Sequence, residues 1–160
     1  MRFRHLLFLA LGGGAVLSGC RRPAEFPQID PDALQVLVDR ERGKAVLVDF
    51  WATWCPPCRK LFPHILELEQ RWGPQRLAVI TINLDPPEHY AAALSFLGGQ
   101  RAKTRNFFSR WGAARESFEA FDLDGVPTFR IYGRDGQLHR TILGESLEEI
   151  DLAVAEALQQ

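Results

Sequence analysis

Charge of one sign, cysteine and long apolar runs are all in short supply in this chain, and each shortage excludes something. Lysine plus arginine number 19 against 20 aspartates and glutamates, a net charge of -1. A nucleic-acid partner would call for a basic face, so no nucleic acid is expected. The longest apolar stretch, Leu6 to Leu17, falls short of the roughly 20 residues a membrane-spanning helix needs. There are only three cysteines, and with two available outside the N-terminal stretch a structural zinc site, which wants four ligands, is disfavoured. No internal repeat is visible. What remains is 160 residues with 46% hydrophobic and 24% charged content. That is enough for one compact domain with its own core and a short appendage.

The appendage is at the N-terminus. Arg2, Arg4 and His5 give a basic start, the apolar stretch follows, and then come Ser18, Gly19 and Cys20. This is the pattern of an export signal over residues 1–19. Leu17-Ser18-Gly19-Cys20 is similar to a bacterial lipobox, in which cleavage leaves an acylated cysteine as the new first residue. An ordinary signal cut elsewhere, or an uncleaved anchor, is the alternative. Lipidation of Cys20 also settles the cysteine arithmetic, because an exported protein with three thiols would leave one unpaired. Acyl chains contribute about 0.8 kcal/mol per buried methylene, and two or more hold a protein firmly to a membrane. The stretch from 20 to 31, with Pro23, Pro27 and Pro31, reads as a tether ahead of a domain over 32–160.

Within that domain, Leu34, Leu37 and Val38 mark a short amphipathic helix over 32–40, ended by Gly43. Ala45 to Trp51 is an apolar run broken only by Asp49, which predicts a strand buried on both faces. Cys55-Pro56-Pro57-Cys58 opens a helix, since proline suits a first turn whose N–H groups have no helical partner. Leu61, Ile65, Leu68 and Trp72 mark its inner side, and Gly73-Pro74 stops it. Leu77 to Asn83 is a second buried strand. A helix over 88–97 follows, closed by Gly98-Gly99. Residues 98–110, rich in basic residues with Phe107 and Phe108, are read as a solvated connection, with a docking surface or a short strand at 106–108 as alternatives. Then come a helix over 113–121, a hairpin of strands 127–132 and 137–143 around Gly133-Arg134-Asp135-Gly136, and a helix over 146–158. Ser146 and Glu149 form a capping box there. The fold class is α/β: a central mixed sheet flanked by helices.

Two thiols separated by two residues at a helix start lie within disulfide reach. The first sits beside unpaired backbone N–H groups and the positive end of the helix dipole, which favour its thiolate. A shift from ~8.5 to ~7 raises the thiolate fraction at pH 7 from roughly 3% to roughly 50%. Nucleophilicity falls with basicity by about fivefold, so the net gain in attack rate is only about threefold. The larger gain is selectivity, because the first sulfur attacks and also leaves readily. Cys58, further along the helix, is expected to be more shielded and to need its proton removed. Asp49, among Val46, Leu47, Val48 and Phe50, is the candidate proton acceptor, its pKa raised by burial. A water-exposed strand-edge acid is the alternative.

The run from Val48 to Lys60, with Trp54-Cys55-Pro56-Pro57-Cys58 at its centre, resembles the active-site segment of thioredoxins, and the Pro-Pro centre resembles the exported TlpA/ResA-like branch. Pro63 matches that fold's helix-kinking proline, and Gly125-Val126-Pro127-Thr128 resembles its cis-proline loop. The resemblance covers about 32–158 and implies a thioredoxin-like fold with an inserted helical segment. It implies Cys55 as nucleophile, Cys58 as resolving thiol and Asp49 as proton acceptor. Trp54, Pro56, Pro57, Val126 and Pro127 become the substrate-binding residues, with a substrate strand pairing to the Val126 backbone. Trp51 and Trp54 either wall the site or pack as ordinary side chains. The chain departs from cytoplasmic thioredoxins at Thr81, where they commonly carry a lysine. A glutamate that the exported branch places near its active site is not matched by Glu88, Glu116 or Glu119.

The function so implied is a lipid-tethered thiol–disulfide oxidoreductase on the periplasmic side of a bacterial membrane. It reduces disulfides in exported proteins and serves cytochrome c maturation or metal-site assembly. Its partners are protein disulfides and a membrane protein that passes electrons across the bilayer. A monomer is expected, with no cofactor beyond the Cys55–Cys58 disulfide and no metal. The alternative is a copper chaperone using the two thiolates as Cu(I) ligands. Such proteins resembling the SCO type space their cysteines more widely and add a histidine, whereas His64, His89 and His139 sit in no recognisable motif.

Overall fold

The computed structural model describes residues 27–113 and 115–160. The expected signal, Cys20 and most of the expected tether lie outside the described residues.

The first helix, α1, runs Pro31–Arg40. Its start is set by Asp30, whose side chain accepts the Ala33 N–H at 2.9 Å, and by Pro31 in the first turn. Just before it, Gln28–Ile29 forms a two-residue strand, β1. The end of the expected tether is therefore part of the fold. Ile29, almost fully buried, is the apolar residue that draws this segment onto the sheet.

The core of the sheet is β2, Ala45–Trp51, and β3, Leu77–Asn83, both buried along their whole length. They pair in parallel, Ala45 opposite Leu77 and Trp51 opposite Asn83. Between them runs α2, Pro56–Trp72. A 3-10 turn at Pro87–His89 leads into α3, Tyr90–Gly99, which takes in both glycines expected to stop it and turns at Arg101 with φ 53.

Residues 98–110 are not merely a solvated connection. Arg105–Ser109 forms β4, which pairs in parallel with β3 and is itself covered by β1. The reason is both apolar and polar: Phe108 is buried and stacked on Tyr90, Phe107 packs against the opposite layer, and the polar side chain between Arg105 and Phe107 finds partners. Asn106 accepts from the hydroxyls of Thr81 (2.7 Å) and Thr104 (3.1 Å) and donates to the Thr104 carbonyl (2.8 Å). The polar residue of the strand is thus satisfied beside β3.

After β4 come α4, Arg115–Phe121, the antiparallel pair β5, Thr128–Tyr132, and β6, Leu138–Leu143, and finally α5, Leu147–Ala157. The Ser146 side chain accepts the Glu149 N–H at 3.2 Å, one half of the expected capping box. The sheet order is β1-β4-β3-β2-β5-β6.

Alternation along β2 sorts the core into two layers. Ala45 and Leu47 pack with Leu61, Ile65 and Leu68 of α2 and Ile150 and Val154 of α5. Val46, Val48 and Phe50 pack on the opposite face with Leu34 and Val38 of α1 and Phe121 of α4. Among the described residues, no helix is long and apolar enough to cross a membrane.

Candidate active site at the start of α2

The site lies where β2 runs out and α2 begins. Leu84 donates its N–H to the Trp51 carbonyl (2.8 Å), closing the end of β2 against the segment after β3. The chain then turns, with the Cys55 N–H on the Ala52 carbonyl at 3.2 Å, and enters the helix. Cys55 is the N-cap, in extended conformation with φ -101 and ψ 98, and Pro56 and Pro57 occupy the first turn. Because neither proline brings an N–H, the first amide after them is that of Cys58. It donates to the Cys55 sulfur at 3.1 Å. A sulfur thus takes the place usually held by a capping oxygen, in the positive field of the helix start.

Cys55 and Cys58 are joined by a disulfide, their Cα atoms 5.3 Å apart. In this oxidised form both are nearly covered, 4% and 2% exposed. The expected difference in shielding is therefore small while the bond is intact. The asymmetry that the structure does show is electrostatic: one sulfur is the cap acceptor and the other lies inside the helix.

Asp49 belongs beneath this helix. On β2 it sits between Leu47, which packs against the middle of α2, and Trp51, which packs with Cys55, Cys58 and Phe62. Side chains two apart share a face, so the Asp49 carboxyl points to the α2 side. It is 1% exposed, and its Oδ1 has no hydrogen-bond partner among the described residues. Burial pushes its pKa from the ordinary 3.8 up to about 8. Its neighbour across β3 is Thr81, whose hydroxyl is committed to Asn106. Among the described residues Asp49 forms no ion pair, and Thr81 stands near where cytoplasmic thioredoxins commonly carry a lysine.

The other expected residues sort by exposure. Trp54, next to Cys55, is 47% exposed, and Pro56 is exposed beside it while Pro57 is half-buried. Trp51 is instead core, tilted against Phe62 and Phe96 at 5.0 and 5.2 Å between ring centres. The Val126–Pro127 bond is cis. Val126 packs against the cluster that holds both cysteines, which brings this loop to the site, and Pro127 is buried. Glu88, Glu116 and Glu119 are all exposed.

Sequence reasoning missed Asp85. It is fully buried, and its carboxylate accepts from the Thr53 N–H (3.1 and 3.0 Å), the Thr53 hydroxyl (2.9 Å) and the Asn83 amide (2.8 Å). The signal was present as two polar residues, Asn83 and Asp85, at the end of an otherwise apolar strand, with Pro86-Pro87 following. His64 and His139 are bonded to carboxylates of α5: His64 to Asp151 at 2.7 Å and His139 to Glu156 at 3.0 Å. Among the described residues no group of three or more His, Cys, Asp or Glu side chains is placed to hold a metal ion.

Residues 27–96 match the thioredoxin family model. The chain is 22% identical over 129 residues to the thiol-disulfide oxidoreductase ResA of Bacillus subtilis, an alignment spanning 76% of this chain and 65% of that protein. Against the ResA of Bacillus anthracis the identity is 24% over 168 residues, covering 92% of this chain and 90% of the relative. Among solved structures, a thioredoxin-family thiol:disulfide interchange protein from Chlorobium tepidum superposes with a TM-score of 0.63 at 25% identity, over 74% of this chain and 83% of that one. A thiol-disulfide isomerase from Corynebacterium glutamicum gives 0.66 at 18% identity, over 75% and 84%. The fold is the thioredoxin fold.

Proposed function

We propose, for a chain whose residues 27–96 match the thioredoxin family model, the work of a thiol–disulfide oxidoreductase that reduces protein disulfides outside the cytoplasm from a lipid tether on Cys20. The observation that carries this reading is the Cys55–Cys58 disulfide at the entrance of α2, its first sulfur capped by the Cys58 N–H, above a buried carboxyl.

The reduced form starts the reaction. The Cys55 thiolate attacks one sulfur of a substrate disulfide, whose S–S bond breaks as the Cys55–substrate bond forms. The departing substrate thiolate takes a proton from water. Cys58 then gives its proton to Asp49 in its ionised form, roughly a tenth of the population at pH 7 for an acid at about 8, and attacks the Cys55 sulfur. The mixed disulfide breaks, the second substrate thiolate is released and protonated, and the Cys55–Cys58 disulfide re-forms. Two electrons have passed to the substrate. Raised by burial to about 8, the Asp49 carboxyl takes up a proton far more readily than an ordinary carboxylate would. In recharging, the same carboxyl, protonated at neutral pH, returns that proton to Cys58 as it leaves. Exposed Trp54 and Pro56 and the Val126–Pro127 loop supply the surface on which a substrate segment lies.

The direction and setting are part of the proposal. An exported reductase works against an oxidising environment, so a membrane protein delivering electrons across the bilayer completes the cycle, and cytochrome c maturation or metal-site assembly is the demand it meets. The decisive experiment is trapping. A Cys58→Ser variant stalls as a mixed disulfide through Cys55, and mass spectrometry of the captured species identifies the substrate. Equilibration of the wild-type pair with glutathione buffers gives a reducing potential. A value near about -120 mV, that of a strong exported oxidant, overturns the reductive direction.

A further inference from the structure

The turn that delivers Cys55 to the helix start, residues 52–55, is short and half on the surface, yet it is held by a carboxylate the reaction above does not use. We propose that Asp85 is a positioning residue for Cys55: by clamping Thr53 it holds the turn that sets the Cys55 sulfur against the first-turn N–H of α2. The inference rests on the oxidoreductase reading of that site.

Three features support it. First, the bonds converge on one residue. Both the N–H and the hydroxyl of Thr53 point at Asp85, and the next anchored amide in the chain is the Cys55 N–H on the Ala52 carbonyl. Thr53 therefore fixes the middle of the turn, two residues before the reacting sulfur. Second, Asp85 is itself held on every side. Its own N–H donates to the Asn83 side chain at 3.0 Å while the Asn83 amide returns a bond to its carboxylate. This is an Asx-type closure that leaves the carboxylate no other orientation. Third, the site is sealed. Gly112, at φ +62, lies so close that an added Cβ would meet the Asp85 carbonyl at 3.2 Å and Pro86 and Pro87 at 3.3 Å. The Ser117 hydroxyl ties the Gly112 carbonyl in place. A buried charge is kept in a fold only when fully bonded, and here most of its bonds go to the active-site turn.

Its charge is felt at Tyr90. That hydroxyl lies above its usual range chiefly through burial; a bond to Gln28 lowers it and the Asp85 charge raises it. A second possible role follows, in which Asp85 acts on Cys55 only as a nearby negative charge. The two roles predict opposite signs. Loss of a repelling charge lowers the pH at which Cys55 ionises. Loss of the clamp loosens the cap and raises it.

The test uses the full chain, reduced and held in detergent, and follows thiolate absorbance and the rate of iodoacetamide labelling of Cys55 from pH 4 to pH 10. Asp85→Ala and Asp85→Asn are compared with wild type. Asp49, Arg59 and Lys60, titratable groups around the site, are common to all three and cancel; Tyr90, which the Asp85 charge raises, is removed from the comparison by repeating the series on a Tyr90→Phe background. The expected result is a Cys55 midpoint raised by about half a unit, the scale of a helix-terminus interaction. Thr53→Val removes only the hydroxyl bond and gives a smaller rise in the same direction; it serves where the Asp85 variants do not fold. A midpoint that is unchanged or lowered, even with a reduced melting temperature, overturns the proposal and leaves Asp85 a strut or a charge. If wild-type Cys55 itself ionises only at an ordinary thiol pH, the oxidoreductase reading fails instead.

Discussion

Replacing Asp49 by asparagine keeps the shape of the side chain and removes its titration, and the consequence for stability follows from its burial. In the fold this carboxyl holds its proton up to about pH 8, whereas the open chain releases it near 3.8. Between those values the folded state binds one proton more than the unfolded state. Stability therefore falls as pH rises through this window, by about 1.4 kcal/mol per unit, and levels off above it. The asparagine variant does not share that loss. Its advantage over wild type grows by about 4 kcal/mol between pH 5 and pH 8. All other groups are present in both proteins and drop out of the difference. Urea denaturation of the oxidised forms at pH 5, 6, 7, 8 and 9 measures it directly. The same variant resolves mixed disulfides about a hundredfold more slowly, since Cys58 loses its proton acceptor. A stability difference that does not change with pH would refute the reasoning, because Asp49 would then titrate alike in the folded and open chain.

Two further outcomes are expected. Leu68→Ala removes a fully buried side chain from the layer under α2 and α5, and lowers unfolding free energy by about 2–5 kcal/mol in chemical denaturation, with the Cys55 ionisation midpoint unchanged. Cys20→Ser, expressed in a bacterium and fractionated, moves the protein out of the membrane fraction; retention there equal to wild type would mean that the tether is not a lipid on Cys20.

Sequence and structure divide the work along a physical line. The buried strands Ala45–Trp51 and Leu77–Asn83 and the cysteine-opened helix were legible because a continuous apolar run, a proline first turn and a 3.6-residue period are local signals. The raised pKa of Asp49 was legible for the same reason, since one acid in such a run has no water to face. Strand β4 was legible only as an alternative, a short strand at 106–108, because two phenylalanines are a weak local signal and the strand is also held by Asn106 bonding Thr81 and Thr104, residues on neighbouring segments. The docking of Gln28–Ile29 onto that strand was hidden. Asp85 was missed for a related reason: its meaning is a bond to Thr53, 32 positions away along the chain. By itself, the sequence determined that two sulfurs meet at a helix start and that an acid lies buried in the strand before it, through spacing and hydrophobicity. Only the tertiary structure decided what holds those atoms in place, because hydrogen bonds between distant polar groups leave no periodic trace in the chain.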